Sequence, residues 1–473
     1  MPPWRGARSA ASISPAAGRT WARPGAWPTS TRNFELQPDI GIHRARRAHL
    51  LKAMGEGVLI LATAPEAIRN RDAHYPYRFD SHFYYLTAFP EPEAVLVLIA
   101  GRNGKRPRHI LFCREKNPER EIWDGFRHGP QAARELFGFD AAYPFAELDK
   151  RLPQLLENQP RVCYPFGADA AWDGRVMGWI NTVRGKARAG VSAPAVIADA
   201  HALIDEMRLF KDAHEVEFMQ RAADISADAH LAALRACKPA MGEWEIEAEL
   251  LRAFRRGGCQ APAYTPIVAG GANACVLHYI SNDQVLNDGD LLLIDAAGEY
   301  HGYAADITRT FPVNGRFSGP QKDVYEIVLA AQAAAIEAVR PGTTWNAPHE
   351  AALRALTRGL VDLKLLDGEV DGLIESEAYK PWYMHRTGHW LGLDVHDAGE
   401  YKQDGDWRVL EPGMALTVEP GLYFRPGKDV PGHLENIGIR IEDDVLVTPE
   451  GRRVLTQAAP KSVKDIEEAM REH

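Results

Sequence analysis

Apolar positions form short unbroken runs through the first part of the chain and helical or alternating patterns through the second. The runs VLILAT (58–63), AVLVLIA (94–100), HILFC (109–113) and VCYPFG (162–167) have strand length. Their continuity suits strands buried on both faces. An amphipathic stretch over 44–54 precedes them, and the aromatic-rich DAHYPYRFDSHFYYLTAFPEPE (72–93) lies between the first two and reads as irregular. This pattern predicts an α/β N-terminal domain over 36–208 with no cluster of ligand-type residues, hence a supporting domain.

The texture changes near EMRLFKDAHE (206–215). Asp212, with Glu215 three residues on, forms a candidate capping box for a helix reaching about Cys237, followed by a second over 243–256. Strand-like text comes next, then helices over 322–339 and 347–366, then strand-like text again. AALRACKP (232–239) matches AAIEAVRP (334–341) at a constant offset of 102, with Trp244 and Trp345 following at nearly equal spacing. The echo points to a duplication within an α+β C-terminal domain over 209–465.

Composition removes several classes of function. A net charge of −9 argues against nucleic acid or an anionic membrane as partner, and there is no apolar run of about eighteen residues to span a membrane. Five dispersed cysteines without a CxxC pair read as reduced thiols, which fits the cytoplasm. Residues 1–34 hold five arginines and no acid, a composition that fits a mitochondrial transit peptide. A start codon placed too far upstream and a disordered extension are the alternatives, and the segment is set outside the fold.

The stretch HRTGHWLGLDVHD (385–397) carries three histidines. His385 and His389 have the four-residue spacing of an HExxH zinc site, but Arg386 stands where that motif needs glutamate, and Gly388 and Gly392 weaken a helix. Any metal there needs ligands from elsewhere. LLLID (291–295) ends an apolar run on an acid, and DITRTF (306–311) alternates, with Asp306, Thr308 and Thr310 on one face. A hairpin turning at Tyr300–His301 sets Asp295 opposite Asp306, where two carboxylates repel unless a proton or cation intervenes. The alternative is one aspartate facing solvent at a strand end. ALTVEPGLY (415–423) stops at Pro420–Gly421 with Glu419 at the turn, and IGIRIEDDVLV (437–447) alternates, with Arg440 and Glu442 on one face. Alone, that last pair also reads as a surface ion pair. Together Asp295, Asp306, Glu419 and Glu442 supply charge for two divalent ions, with one histidine completing the set. Such oxygen-rich ligation favours Mn²⁺, with Co²⁺ or Zn²⁺ as alternatives. Two such ions activate water and polarise a carbonyl, the chemistry of amide or ester hydrolysis.

The elements D-x10-D (295–306), HxxxHWLGLDVHD, TVEPGLY (417–423) and GIRIEDD (438–444), in this order, closely resemble the pita-bread metallopeptidases, and within them the bacterial-type aminopeptidase P family. The resemblance runs from about 45 to 465 and includes YPYRFDSHFYYLTAFPEPEAVLVL and EIWDG in the supporting domain. It implies an α/β N-terminal domain plus an α+β pita-bread (creatinase/aminopeptidase-like) domain with an internal pseudo-twofold repeat. It implies two metal ions, with Asp306 and Glu442 bridging, Asp295 on one ion, and His389 and Glu419 on the other. A hydroxide between the ions would be the nucleophile and Glu419 its proton acceptor. His278 would steady the substrate or leaving group, His396 would meet the scissile carbonyl, and His385 would shape the pocket beyond the cut. Tyr423 and Arg440 would orient ligands, and Trp123 would reach a neighbouring subunit, implying a homo-oligomer, dimer or tetramer. The sequence departs from the family at Arg386-Thr387-Gly388, where relatives often carry smaller, uncharged residues, which bears on substrate detail.

The resemblance implies release of an N-terminal residue ahead of proline from peptides. A prolidase acting on Xaa-Pro dipeptides shares the same ligands. A non-catalytic pita-bread module or a metal-free creatinase-like enzyme loses ligands, and all five positions are filled here. AGGAN (269–273) lacks the Lys-Ser/Thr of a phosphate loop, and Cys275 near His278 lacks a thiol-hydrolase signature.

Overall fold

The continuous apolar runs of the first part pair with one another at the centre of a six-stranded mixed sheet. The computed structural model describes residues 38–102 and 104–471, so the expectation for 1–34 lies outside the described residues. The strand order is Ala141–Pro144, Arg108–Cys113, Val95–Ile99, Val58–Ala62, Arg161–Tyr164 and Val196–Asp199. Val58–Ala62 runs antiparallel to Val95–Ile99 and parallel to Arg161–Tyr164. On one face Ile60, Val97 and Ile110 pack with Leu152, Val176 and Trp179. The two edge strands are short and half-buried or exposed, and their apolar residues do not stand out as buried runs. The segment 72–93 is not irregular throughout. It contains the helix Ser81–Thr87, capped by Asp80, whose Oδ1 accepts from Phe83 N–H at 2.8 Å.

In the second part both halves of the Asp212–Glu215 capping box form, and the helix they start spans Ala213–Ala236. The helix Glu243–Gly257 packs against it, and the antiparallel sheet Ile267–Gly270, Leu291–Asp295, Thr308–Pro312 follows. The order then recurs. The helices Gly319–Ala338 and Ala347–Asp362 lead to the antiparallel sheet Ala415–Val418, Asp443–Thr448, Gly451–Val454. The duplication read from the sequence is present in the fold. The two sheets are stitched together where Glu442 N–H donates to Thr308 O at 3.1 Å and Thr310 Oγ1 donates to Arg440 O at 3.0 Å.

Two expected registers are corrected. The hairpin turns one position later than expected, with Tyr300 opposite Tyr303 around His301 and Gly302. Both turn residues have positive φ (50° and 84°), the two-residue turn that favours glycine at its second position. Asp295 consequently faces Thr308, not Asp306. The alternating run 437–447 also breaks, at Ile441–Glu442. Gly438–Arg440 pairs with Gly421–Tyr423, whereas Asp443–Thr448 pairs with Ala415–Val418. Pro420 interrupts the partner strand because it has no N–H to give the ladder, and both strands bend together.

Behind this bend the buried Arg309 donates to Asp443 Oδ1 at 2.7 Å, to Glu442 O at 2.5 Å and to Ala459 O at 3.0 Å. Lys461 donates to Asp443 Oδ2 at 2.5 Å and Thr456 Oγ1 to Asp443 Oδ1 at 2.8 Å. Burial alone would raise the Asp443 carboxyl, but Arg309 and Lys461 hold it down at about 2. All five cysteines are buried and unpaired, and burial pushes the Cys113, Cys237 and Cys259 thiols up to about 12. Among the described residues no helix is long and apolar enough to cross a membrane.

Burial, with Arg46 beside it, pushes the imidazole of His43 down to about 3 while its Nδ1 lies 2.9 Å from Tyr85 O. A depressed folded pKa means the unfolded chain takes up the proton first. The stability His43 contributes is complete above its ordinary value of 6.5 and is lost as pH falls from there toward 3. Between pH 7 and 5, His43→Gln should lose roughly 2 kcal/mol less unfolding free energy than the unsubstituted protein, measured by urea titration. Parallel losses in both proteins would remove His43 as a source of the pH dependence.

Candidate metal centre and active site

The five acid and histidine positions singled out in the sequence meet where the two sheets join. Asp295 ends the strand Leu291–Asp295, and Asp306 lies two residues before Thr308–Pro312. Glu419 and Glu442 occupy the paired bend between Val418 and Gly421 and between Arg440 and Asp443. His389 comes from a segment that runs alongside Ala415–Val418. Thr417 N–H donates to His389 O at 3.0 Å, and Glu419 N–H donates to Thr387 O at 2.8 Å. Gly388 is required here because a Cβ would collide with the Thr417 carbonyl. These residues line a cavity of about 480 Å³ together with Tyr264, His278, His385, Arg386, His396 and Arg440.

Donor atoms of Asp306, His389 and Glu442 all lie within 4.8 Å of one another. His389 Nε2 is 3.4 Å from Asp306 Oδ2 and 3.8 Å from Glu419 Oε1. The other ring nitrogen, Nδ1, lies 2.9 Å from Trp390 O and donates there, which leaves the Nε2 lone pair facing the carboxylates. Thr308 Oγ1 donates to Glu442 Oε2 at 2.6 Å, and Asp306 N–H donates to Asp444 Oδ2 at 3.0 Å. The cation nearest Asp295 is Arg440, whose Nη2 donates to Oδ2 at 2.6 Å. On the strand, Arg440 therefore pairs with Asp295 across the two sheets and is not a surface partner of Glu442.

The protein atoms alone leave negative charge in surplus. Burial and then Asp295 raise Asp306 well above the carboxylate range, and burial and then Asp306 do the same to Glu442. Glu419 is pushed up to about 8 by burial and by Glu442. The Tyr264 hydroxyl lies 2.6 Å from Asp295 Oδ1 and 2.5 Å from Asp306 Oδ1. One hydroxyl proton serves one carboxylate at a time, so the second needs a proton or a cation. Three clustered carboxylates beyond the one paired with Arg440, plus an imidazole lone pair, make a donor set that fits divalent ions.

The remaining histidines differ in freedom. His385 is engaged at both nitrogens, with Nδ1 2.7 Å from Arg386 O and Nε2 2.9 Å from Tyr423 Oη. Burial and the nearby Arg440 push it down to about 4, so it is neutral, and the Tyr423 hydroxyl also accepts from Arg440 Nη1 at 3.0 Å. His396 and His278 stand exposed on the cavity wall. Partial desolvation by the cavity and the adjacent His389, 4.2 Å away between ring centres, lower the pKa of His396. Arg386 stacks its guanidinium over Trp407 at 4.9 Å and donates to Asn346 Oδ1, at the cavity rim. Trp123 is not part of this cavity; it stands on the supporting domain's surface, 82 % exposed.

Sequence reasoning passed over Tyr264 and under-used Thr308. Thr308 shares the face of Asp306, so the alternation of DITRTF already marked it. Tyr264 precedes Thr265 and Pro266 in an unpatterned loop, and nothing local distinguishes it from a packed aromatic.

Comparison with known proteins agrees with this geometry. The model for metallopeptidase family M24 matches residues 217–449, and that for the aminopeptidase P N-terminal domain matches 43–164. An Escherichia coli (strain K12) Xaa-Pro aminopeptidase is 45% identical over 427 residues, covering 90% of this chain and 96% of that protein. The structure of Pseudomonas aeruginosa aminopeptidase PepP superposes with a TM-score of 0.90 at 51% identity, covering 92% of this chain and 98% of that one. Zn-substituted E. coli aminopeptidase P in complex with product superposes at 0.89 with 43% identity, covering 92% and 99%. The chain belongs to metallopeptidase family M24, as a member of its Xaa-Pro aminopeptidase group.

Proposed function

We propose that this protein uses two divalent metal ions to release the N-terminal residue from peptides whose second residue is proline. The convergence of Asp306, His389 and Glu442 donor atoms within 4.8 Å, in a cavity also walled by Asp295 and Glu419, carries the reading. Asp306 and Glu442, central in the cluster, would be shared between the ions. Asp295 would complete one ion's set, and His389 with Glu419 the other's. Mn²⁺ is the proposed native metal on the strength of the oxygen-rich donor set. Divalent ions bound there supply Lewis acidity toward a peptide carbonyl and lower the pKa of water.

The chain's own groups do the rest. Glu419 takes the proton of the attacking water and passes it to the proline nitrogen, which leaves only when protonated. His396, on the cavity wall beside His389, offers an N–H to the carbonyl oxygen as charge develops there. His278, across the cavity, steadies the leaving group. His385 moves no proton, because Tyr423 and the Arg386 carbonyl hold both of its nitrogens; it shapes the wall beyond the cut. Arg440 and Tyr264 hold Asp295 in place. Ile122, Trp123 and Phe126 are 80 %, 82 % and 66 % exposed, an apolar cluster that a second copy would cover in a homo-oligomer. Buried thiols suit a reducing compartment, the cytoplasm.

Metal-stripped protein restored with Mn²⁺ should cleave an Xaa-Pro-Yaa tripeptide, and leave an Xaa-Ala-Yaa peptide intact. Preference for an Xaa-Pro dipeptide would make the enzyme a prolidase, and no cleavage with metal bound would reject catalysis. Asp306→Ala and Glu442→Ala should lose metal and activity together, whereas Tyr264→Phe should keep both sites but weaken metal affinity about 10–100-fold in metal titrations. Full Mn²⁺ affinity in Asp306→Ala would exclude it as a ligand. Trp123→Ala should lower the molar mass in solution, read by light scattering; an unchanged mass would place any interface elsewhere.

A further inference from the structure

His396 sits on an irregular loop, and among the described residues its ring packs on His389 but has no hydrogen bond to fix it in the cavity. Two aspartates fix the backbone on either side of it. Asp397, buried, accepts from Arg208 Nη2 at Oδ1 and from Lys211 Nζ at Oδ2, the latter at 2.8 Å. Asp394 accepts from the same Arg208 Nη2 at 2.7 Å through Oδ2 and from Ser81 Oγ at 2.6 Å through Oδ1. Arg78 Nη2 donates to Leu393 O at 2.7 Å, one residue further back. One guanidinium thus grips the loop before and after His396, while two residues of the supporting domain hold its leading edge.

Arg208 is itself aimed by that domain. Its Nη1 lies 3.2 Å from Nδ1 of His82, and the Nε2 of His82 lies 2.6 Å from Asp205 Oδ1. With Nδ1 accepting from the guanidinium, Nε2 carries the ring proton and donates to Asp205. Arg78 also reaches the hairpin between Asp295 and Asp306, donating to Glu299 Oε2 at 2.9 Å and to Gly302 O at 3.2 Å. Gly392 N–H donates to Asp394 O at 3.1 Å and Ala304 N–H donates to Gly392 O at 2.8 Å, which ties the loop directly to the hairpin. Residues 78–82 lie outside the matched catalytic family model, 217–449.

We infer that the segment Arg78–His82 of the N-terminal domain, acting with Arg208, is a positioning element for His396: it sets where the imidazole stands over the substrate carbonyl. The inference rests on the substrate-facing role proposed for His396. Neither Arg208 nor Ser81 touches the metal-ligating cluster, so both affect turnover through loop geometry. A misplacement of the imidazole by a fraction of an ångström weakens a hydrogen bond made as charge develops, which lowers kcat more than it raises KM.

The test is a double-mutant cycle with the Mn²⁺-loaded enzyme and an Xaa-Pro-Yaa peptide. Arg208→Lys, which keeps the charge but loses the two-carboxylate grip, should lower kcat on the order of tenfold with KM within about threefold. Ser81→Ala, which removes the hydrogen bond to Asp394 and the one accepted from Arg78 but leaves no buried charge, should act in the same direction more weakly. Metal content by elemental analysis should stay at the unsubstituted level in both. In a His396→Ala background each substitution should change kcat by less than about twofold, since there is no imidazole left to misplace. Equal fold losses in the two backgrounds, or loss of metal, would overturn the positioning role and leave a purely structural one. If His396→Ala alone leaves turnover unchanged, the role of His396 fails first, and the inference with it.

Discussion

Like charges held at close range against their own repulsion set the terms for everything around them. Two unit charges about 4 Å apart interact by roughly 4 kcal/mol at the effective dielectric of a partly solvated protein site. Donor atoms of Asp306 and Glu442 lie within 4.8 Å of each other, with Glu419 on the same cavity wall, and fixed donors hold the acids where they are: Arg440 on Asp295, Thr308 on Glu442, and the Asp306 backbone on Asp444. None of these donors belongs to a flexible surface loop. Each sits on or beside a strand that a second strand holds, so the acids have nowhere to relax except by taking a proton or a cation.

Neither half of the duplicated domain has the site alone. Asp295 and Asp306 come from the first sheet, Glu419 and Glu442 from the second, and the line where Thr308 and Thr310 meet Arg440 and Glu442 brings them together. The supporting domain contributes no cavity ligand, but it is no passive neighbour, since Arg78 touches both the hairpin between the aspartates and the loop of His396.

What could be read from the sequence follows how local each signal is. The capping box at Asp212 and the apolar strand runs depend on spacings of a few positions and form as read, and the five acid and histidine positions that the family resemblance picks out line one cavity. The register of the aspartate hairpin depended on whether His301–Gly302 or Tyr300–His301 forms the turn, a choice that φ at glycine settles and alternation cannot. The break at Ile441–Glu442 is imposed by Pro420 on the partner strand, so the run 437–447 carries no mark of it. Edge strands at Ala141–Pro144 and Val196–Asp199 are short and only partly buried, and Tyr264 matters only through groups thirty or more residues away.

The cluster behind the bend has a consequence for the order in which the molecule is made. Arg309 holds the strand that carries Asp306 and Thr308, and it is anchored to Asp443 and to the carbonyls of Ala459 and Pro460, while Lys461 and Thr456 complete the charge balance on Asp443. A growing chain that has not yet released residues 456–461 from the ribosome lacks those partners. The finished support of the centre therefore includes residues 456–461, which follow all of its acids in the chain.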